Sequence, residues 1–280
     1  MNTMANYEIN EDGDGIIPNH ITEIEAGAFK DCTELEYVDI PKGVTRIGDS
    51  AFENCSNLRW VKIPNGVTYI GNRAFMNCRH LDEIQIPKTV ARIGDHAFRG
   101  CEWLRGINIP EKMTKIGNGT FMYCSGLDDI TFPKHLNKIG DCAFRGCSSL
   151  KHVILPHGVI HIGTQAFMEC AKLKYVDLPE TVTSVGAEAF FLCKNLRFIE
   201  MPGVEALEDN VFGGCDLRYI ELPSTIKKVG ARAFAGCASM IAIVIPDSVT
   251  YVDNTAFENC FSLAEIYASE EIKQQIERQI

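Results

Sequence analysis

Residues 64–86, PNGVTYIGNRAFMNCRHLDEIQI, show a 23-residue pattern that recurs eleven times between residues 18 and 268. A proline opens each copy, and these prolines are Pro18, Pro41, Pro64, Pro87, Pro110, Pro133, Pro156, Pro179, Pro202, Pro223 and Pro246. The ninth copy is two residues short, because it lacks one residue after Pro202 and one after Cys215. One unit of this size cannot bury its apolar side alone, whereas stacked units share a continuous core, so the repeat predicts a solenoid.

Each copy contains two kinds of apolar spacing. Within residues 35–40, Val38 and Ile40 alternate with polar residues, which predicts a half-buried strand. Within residues 51–58 the apolar residues follow at +1, +4 and +7, which favours a short helical turn. The string Leu-x-x-Ile-x-Ile is a variant of the leucine-rich-repeat signature. We therefore expect a right-handed leucine-rich-repeat solenoid with a curved parallel β ladder on its concave side and short helical turns and loops on its convex side.

The ends of the chain differ from the repeats and read as caps. We expect one domain, in which residues 1–17 form a capping strand and turn, residues 18–268 form the repeats, and residues 269–280 form a capping helix. Ser269 can accept the first hydrogen bonds of that helix. Ile272, Ile276 and Ile280 lie on one helical face, where they can cover the apolar end of the last repeat.

Composition and charge exclude several classes of function. The 280 residues are 46% hydrophobic and 23% charged, with a net charge of −10. This acidity argues against nucleic-acid binding, which depends on clustered Lys and Arg. No apolar run reaches the roughly 20 residues that cross a bilayer, and residues 1–8 lack the basic and apolar regions of a signal peptide. We expect no nucleic-acid partner and no transmembrane segment.

The string P-x-x-V-T-x-I-G-x-x-A-F-x-x-C-x-x-L, in residues 64–78 and their continuation, closely resembles the BspA-like leucine-rich repeats, and the resemblance covers all eleven copies. That family occurs in surface proteins of host-associated bacteria and in parasitic protists, and it is associated with adhesion to host proteins and other cells. The resemblance therefore implies adhesion and a cell-surface or secreted location. It implies no catalytic residues, because the family has no shared catalytic motif.

The sequence gives little support for catalysis or metal binding. Eleven of the twelve cysteines fill one column of the repeat, and we expect them to be buried and unbridged, whereas Cys142 lies outside that column. The string N-x-D-x-D-G that begins at Asn10 matches half of a calcium loop, but Ile21 stands where the loop needs Glu. His157 and His161 have no further ligands nearby to complete a zinc site. We expect no enzyme, no cofactor and no metal.

The outward face of the predicted sheet is the candidate binding surface. Val38 and Ile40 point inward, so their neighbours point outward, and the same parity holds in every copy. Three successive copies carry an aromatic stripe between basic and acidic residues: Tyr175, Phe198 and Tyr219, flanked by Lys174, Arg197 and Arg218 and by Asp177, Glu200 and Glu221. Tyr37 and Trp60 form a smaller second candidate. Exposed aromatics beside Arg are typical of interface hot spots, although stacking between neighbouring strands explains the same stripe.

The sequence therefore predicts a non-catalytic module that recognises a protein on its concave sheet. By resemblance, the first hypothesis is an adhesin or cell-surface interaction protein that binds host or neighbouring-cell proteins. The alternative is an intracellular leucine-rich-repeat scaffold with a cytosolic partner, which the many thiols and the absent signal peptide favour.

Overall fold

The computed structural model describes residues 7–280, which form two compact units divided after Leu136. The first unit contains β1 (Glu8–Ile9), β2 (Asp14–Ile16), β3 (Glu23–Ile24), β4 (Tyr37–Asp39), β5 (Arg46–Ile47), β6 (Trp60–Lys62), β7 (Tyr69–Ile70), β8 (Glu83–Gln85), β9 (Arg92–Ile93), β10 (Gly106–Asn108), β11 (Lys115–Ile116) and β12 (Asp129–Thr131). The second contains β13 (Lys138–Ile139), β14 (His152–Ile154), β15 (His161–Ile162), β16 (Tyr175–Asp177), β17 (Ser184–Val185), β18 (Phe198–Glu200), β19 (Ala206–Leu207), β20 (Tyr219–Glu221), β21 (Lys228–Val229), β22 (Ala242–Val244), β23 (Tyr251–Val252), β24 (Glu265–Tyr267) and α1 (Glu270–Glu277). Within residues 7–280, no helix has the length and apolar character needed to cross a membrane.

In the first unit, each repeat is one coil that gives a long strand to one sheet and a two-residue strand to another. The long strands β2, β4, β6 and β8 are parallel neighbours, and so are the short strands β3, β5, β7 and β9. The register places Tyr37 opposite Trp60, so equivalent residues of successive copies face each other. The alternation around Val38 predicted the long strand, whereas the short strand was not predicted.

The second unit has the same two ladders, but both are interrupted at the short ninth copy. The long strands pair as β14–β16–β18 and as β20–β22–β24, and the short strands as β15–β17 and as β19–β21–β23. Among the strands described in this unit, β18 does not pair with β20 and β17 does not pair with β19. Among the described strands of the first unit the ladders also divide, between β8 and β10 and between β9 and β11, where the copies have their full length.

The segment that follows the short strand is a run of hydrogen-bonded turns rather than the short helical turn expected from the apolar spacing. The Phe52 N–H donates to the carbonyl of Ala74 in the next coil at 2.7 Å, whereas the Cys55 N–H turns back to the Phe52 carbonyl at 3.2 Å. Ser50 and Asn54 adopt left-handed backbone angles, with φ of 55° and 64°. These angles break the helical path and let alternate N–H groups bond to the neighbouring coil.

Phenylalanine and cysteine fill the core of the coils. All eleven repeat phenylalanines are buried, and neighbouring rings stack, as in the pair Phe52–Phe75, whose centroids lie 5.1 Å apart. The eleven column cysteines are buried thiols, which confirms the sequence prediction, and Cys142 is half-buried. The Cys55 thiol also donates to the Phe29 carbonyl of the preceding coil at 2.9 Å, a contact that recurs along both units. The column cysteine is therefore a hydrogen-bond donor as well as a small apolar group.

Different elements cover the two ends. Strand β1 pairs antiparallel with β2 through a turn in which Gly13 has a φ of 83°. At the other end, Ser269 caps α1, whose residue Ile276 is fully buried. Helix α1 ends at Glu277, so Ile280 lies beyond it and is 43% exposed instead of completing the expected apolar stripe.

Glutamine side chains of the C-terminal segment replace part of the backbone that a further coil would supply. The Gln275 amide donates to the Val252 carbonyl at 2.6 Å, and the Gln279 amide oxygen accepts from the Phe257 N–H at 3.0 Å. These bonds satisfy backbone groups that the last coil would otherwise leave unpaired.

Candidate protein-recognition surface

The aromatic stripe lies on the outward face of the long strands in the second unit. Tyr175 on β16 and Phe198 on β18 are directly opposite in the parallel register. Their rings are nearly parallel, at 7° and with centroids 5.6 Å apart. Phe198 nevertheless remains 49% exposed. This pair therefore stabilises its two strands and still presents an apolar ring to solvent.

The third aromatic of the stripe lies across the interruption of the ladder. Tyr219 on β20 is 51% exposed, and its hydroxyl donates to a carboxylate oxygen of Glu221 at 3.2 Å. An open groove of about 570 Å³ lies along Phe198 and Tyr219. Its remaining lining includes Glu200, Met201, Pro202, Glu221, Pro223, Ser224, Val244 and Pro246. The groove lies between the strands and the turns that follow Pro202 and Pro223, so the aromatic stripe borders a concave site.

The three basic neighbours, Lys174, Arg197 and Arg218, are exposed. The Arg197 Nε donates to a carboxylate oxygen of Asp216 at 2.9 Å. The pKa of Asp216 lies below its ordinary value because Ser239 donates a hydrogen bond to it and because Arg197 and Arg218 stand nearby. Asp216 was not predicted as part of the surface. The short Cys-x-Leu spacing that follows Cys215 is the sequence signal that could have identified it.

Acidic and aliphatic residues complete this surface. Glu200 and Glu221 are exposed, and Asp177 is half-buried. Desolvation, together with the carboxylates of Asp177 and Glu200, raises the pKa of the Tyr175 hydroxyl. Ile241 is 50% exposed, so apolar surface continues onto the next coil.

The second candidate pair lies in the first unit. Tyr37 and Trp60 are opposite each other on β4 and β6, and both are exposed. An ion pair joins Asp39 to Lys62 on the same two strands, with 2.7 Å between the Asp39 carboxylate and the Lys62 Nζ. A groove of about 1060 Å³ lies beside Trp60, between the strands and the turns that follow Pro41 and Pro64. The alternation of inward and outward side chains predicted that Tyr37 and Trp60 face outward, but it did not predict this groove.

The structure arranges no metal ligands around the other residues that the sequence raised. Within residues 7–280, no group of three or more His, Cys, Asp or Glu side chains could hold a metal ion. The Asn10 side chain is used in its own turn, where its oxygen accepts from the Asp14 N–H at 2.8 Å. His161 contacts the Ser184 hydroxyl at 3.1 Å. The half-buried Cys142 thiol contacts the Gln165 amide oxygen at 3.4 Å.

Coils that each add a strand to a parallel ladder, around a column of stacked phenylalanines, define a leucine-rich-repeat solenoid of about eleven turns. The pattern of the BspA type leucine rich repeat region matches this sequence in six copies, over residues 13–128, 114–204 and 189–279. The chain therefore belongs to the BspA-type leucine-rich-repeat family.

Several solved structures resemble this chain over nearly its whole length. A leucine rich cell surface protein from Faecalibacterium prausnitzii is 28% identical, with a TM-score of 0.54 over 96% of this chain and 95% of that one. A leucine-rich repeat protein from Bacteroides ovatus is 22% identical, with a TM-score of 0.57 over 98% and 96% of the two chains. One from Eubacterium ventriosum is also 22% identical, with a TM-score of 0.56 over 94% of each. The comparison with curated proteins found no match.

Proposed function

We propose that this protein is a non-catalytic recognition module that binds a protein partner on the outward face of its long strands. The binding residues in this proposal are Tyr175, Phe198, Tyr219, Lys174, Arg197, Arg218, Glu200 and Glu221. Tyr37 and Trp60 form a second, smaller contact surface. The observation that carries the proposal is the pair of half-exposed rings, Phe198 and Tyr219, that line an open groove.

Strand stacking alone accounts for only part of the stripe. It explains Tyr175 and Phe198, whose rings are stacked on paired strands. It does not explain Tyr219, because β20 is not paired with β18 among the described strands. Aromatic rings with an adjacent, held arginine are common at the centres of interfaces, where they bury large area at a small entropic cost. Arg197, held by Asp216, supplies such a neighbour.

An adhesin or another cell-surface interaction protein is the first form of this proposal. A similar structure, the Faecalibacterium prausnitzii protein, is described as a leucine rich cell surface protein. This supports a surface role, in which the partner is a protein of the host or of a neighbouring cell. An intracellular scaffold would use the same face with a cytosolic partner.

A capture experiment with matched variants tests the proposal. Wild type, a Tyr175→Ala/Phe198→Ala/Tyr219→Ala variant and a Tyr251→Ala/Phe261→Ala control are immobilised and exposed to host-surface extract and to the producing cell's lysate. Tyr251 and Phe261 are exposed aromatics of the same unit that lie off the stripe. Circular dichroism first establishes that all three proteins are folded.

We expect wild type and the control to capture the same partner and the triple variant to lose it. With the purified partner, the loss should reach about 2 kcal/mol or more, as hot-spot residues show. Equal binding by all three proteins would refute the proposal. A partner from the surface extract supports an adhesin, and one from the lysate supports a scaffold.

A further inference from the structure

The groove beside Trp60 in the first unit has a lining different from that of the aromatic stripe. Residues of β4, β6 and β8 form one wall, and the turns after successive repeat prolines form the other. A second depression of about 740 Å³ shares Asn65 and Gln85 with it and extends to Lys88 and Asn108. We call the two together the post-proline groove.

Amide side chains are the most frequent polar groups in the post-proline groove. Asn19, Asn65, Gln85 and Asn108 all line it. Among residues 7–280, no protein group hydrogen-bonds to the side chains of Asn19, Asn65 or Asn108, and all three residues are exposed. Each amide presents a donor and an acceptor side by side. This arrangement suits the neighbouring hydroxyl groups of a sugar, each of which also donates and accepts.

The groove is locally basic although the chain carries a net charge of −10. Its lining contains Lys42, Lys62 and Lys88 against the single carboxylate of Asp39. Lys62 is paired with Asp39 at 2.7 Å. Within the described part of the chain, Lys42 and Lys88 have no ion-pair partner. Two ammonium groups are therefore available to an anionic ligand.

The apolar lining favours a sugar over an acidic peptide. The aliphatic residues Ile40, Ile63 and Ile86 are at least 93% buried, so they offer little surface to an apolar side chain of a ligand. Trp60, by contrast, is 40% exposed and lines the groove. A flat indole ring packs well against the C–H face of a pyranose, in addition to the area that it buries.

The order of residues along the groove also sets the distance between its lysines. The residues that follow the first four repeat prolines are Asn19, Lys42, Asn65 and Lys88, so an amide and an ammonium group alternate from coil to coil. Successive parallel strands are about 4.8 Å apart, which places neighbouring lysines about 10 Å apart. A polymer in which acidic and neutral sugars alternate presents its carboxylates at every second sugar, in the same alternation.

We propose that the post-proline groove binds an oligosaccharide in which acidic and neutral sugars alternate. Lys42 and Lys88 bind its carboxylates, the amides of Asn19, Asn65, Gln85 and Asn108 bind its hydroxyl and acetamido groups, and Trp60 packs against one ring. This site shares Trp60 with the smaller second contact surface but has no residue in common with the aromatic stripe, so a Tyr175→Ala/Phe198→Ala/Tyr219→Ala variant retains it.

Tryptophan fluorescence gives a direct test, because the chain contains only Trp60 and Trp103. A Trp103→Phe protein, in which Trp60 is the only reporter, is titrated with a hyaluronan hexasaccharide, with the neutral chitin hexasaccharide and with a deoxythymidine hexanucleotide. The same titrations are repeated with Lys42→Ala/Lys88→Ala added. A Lys172→Ala/Lys194→Ala variant, which changes the net charge equally at exposed sites outside the groove, serves as the matched control.

We expect saturable changes in Trp60 fluorescence with hyaluronan alone. The Lys42/Lys88 variant should bind at least about tenfold more weakly, which corresponds to about 1.4 kcal/mol. The Lys172/Lys194 control should bind like its parent. Three results overturn the proposal: no response to hyaluronan, an equal response to the neutral sugar, or equally tight Lys42- and Lys88-dependent binding of the oligonucleotide, which would show attraction of any polyanion.

Discussion

The thiol of the column cysteine makes the same hydrogen bond in at least nine coils. The thiol lies against the stacked phenylalanines, where a polar group without a partner would cost free energy. It donates a hydrogen bond to the carbonyl of a phenylalanine in the preceding coil, as the Cys78 thiol does to the Phe52 carbonyl at 3.1 Å. Burial raises the pKa of the Cys124 thiol to about 12. A serine would also donate there, but its hydroxyl is harder to desolvate among apolar neighbours. Cysteine therefore fits a position that needs a small, weakly polar donor.

Cys142 differs from the column cysteines and should react first with thiol reagents. It is half-buried at a left-handed turn position with a φ of 54°, whereas Cys147, five residues later, is fully buried. A buried thiol reacts only when the structure opens locally. With iodoacetamide at pH 8 and peptide mass spectrometry, we expect Cys142 to be modified roughly 100-fold faster than Cys147 or more, the ratio expected when opening costs about 2.7 kcal/mol. Similar rates at the two sites would contradict the burial of the column.

Among the structural elements, the turn after each short strand depends on how closely neighbouring coils approach. Gly71 has no left-handed backbone angle that would require glycine. A Cβ added there would instead lie 2.5 Å from the backbone of Gly48 and Asp49 in the preceding coil. Gly71 is therefore needed because two backbones pass too close there for a side chain, whereas Glu25, Glu208 and Asp253 occupy the same column in three other copies.

Two glycine-to-alanine substitutions in the first unit separate this effect from backbone entropy. Gly71→Ala forces the two backbones apart and should destabilise the protein by about 1–3 kcal/mol, as overpacking does. Gly106→Ala, on the outward face of β10 with no atom within 4 Å of the new Cβ, should be neutral or stabilise by about 0.5–1 kcal/mol. Urea unfolding followed by circular dichroism measures both. Equal stabilities would show that the coils can separate without cost.

The sequence predicted the long strands and the direction of their side chains, because alternation around Val38 has one structural solution. It did not predict the turns. The spacing of Ala51, Phe52, Cys55 and Leu58 fits a helix as well as a run of turns. One left-handed position, immediately before the column cysteine, is Gly, Asn or Asp in eight of the eleven copies, a signal that the apolar spacing does not use. The other left-handed position holds residues of many types, such as Ser50, Arg73 and Gln165, and leaves no such signal.

The candidate site was predictable to a similar extent. The alternation of side-chain direction along the strands predicted that Tyr175, Phe198 and Tyr219 share one face, and the structure places them on that face. The grooves depend on the relative positions of neighbouring coils, which no local pattern encodes. The post-proline groove and the groove at Tyr219 are both formed by strands together with the turns after the repeat prolines.

At the scale of the whole molecule, the phenylalanine stack is less regular from the ninth copy to the eleventh than before it. The rings from Phe190 to Phe257 tilt by 14°, 23° and 15° to one another, whereas the rings of Phe144, Phe167 and Phe190 differ by only 2–6°. The ring stack nevertheless continues, with centroids 5.8 Å and 5.6 Å apart. The core of the second unit is therefore continuous where its two strand ladders are not.

The repeated burial of thiols predicts a loss of stability in alkali that is spread over the whole molecule. Nine column cysteines have pKa values raised by desolvation. For Cys124 the rise is from an ordinary value of 9.0 to about 12. Between these values the unfolded chain loses protons that the folded chain keeps. The stabilisation is therefore complete below pH 9 and is lost as pH rises toward 12, by up to about 1.36 kcal/mol per pH unit for each thiol.

The contribution of one thiol can be separated from that of titrating tyrosines and lysines by comparing how steeply the free energy of unfolding falls with pH in wild type and in single variants. The free energy of unfolding is measured in urea with reductant between pH 7 and 10.5 for wild type, Cys124→Ala and Cys142→Ala. We expect it to fall steeply above pH 9 in wild type. Cys124→Ala lowers stability at pH 7 but reduces the alkaline slope by up to about 1.36 kcal/mol per pH unit, because one group no longer titrates differently in the two states. Cys142→Ala removes a half-buried thiol outside the column and serves as the matched comparison. If the free energy of unfolding falls with the same slope above pH 9 for Cys124→Ala and wild type, buried thiols do not cause the sensitivity of the solenoid to alkali.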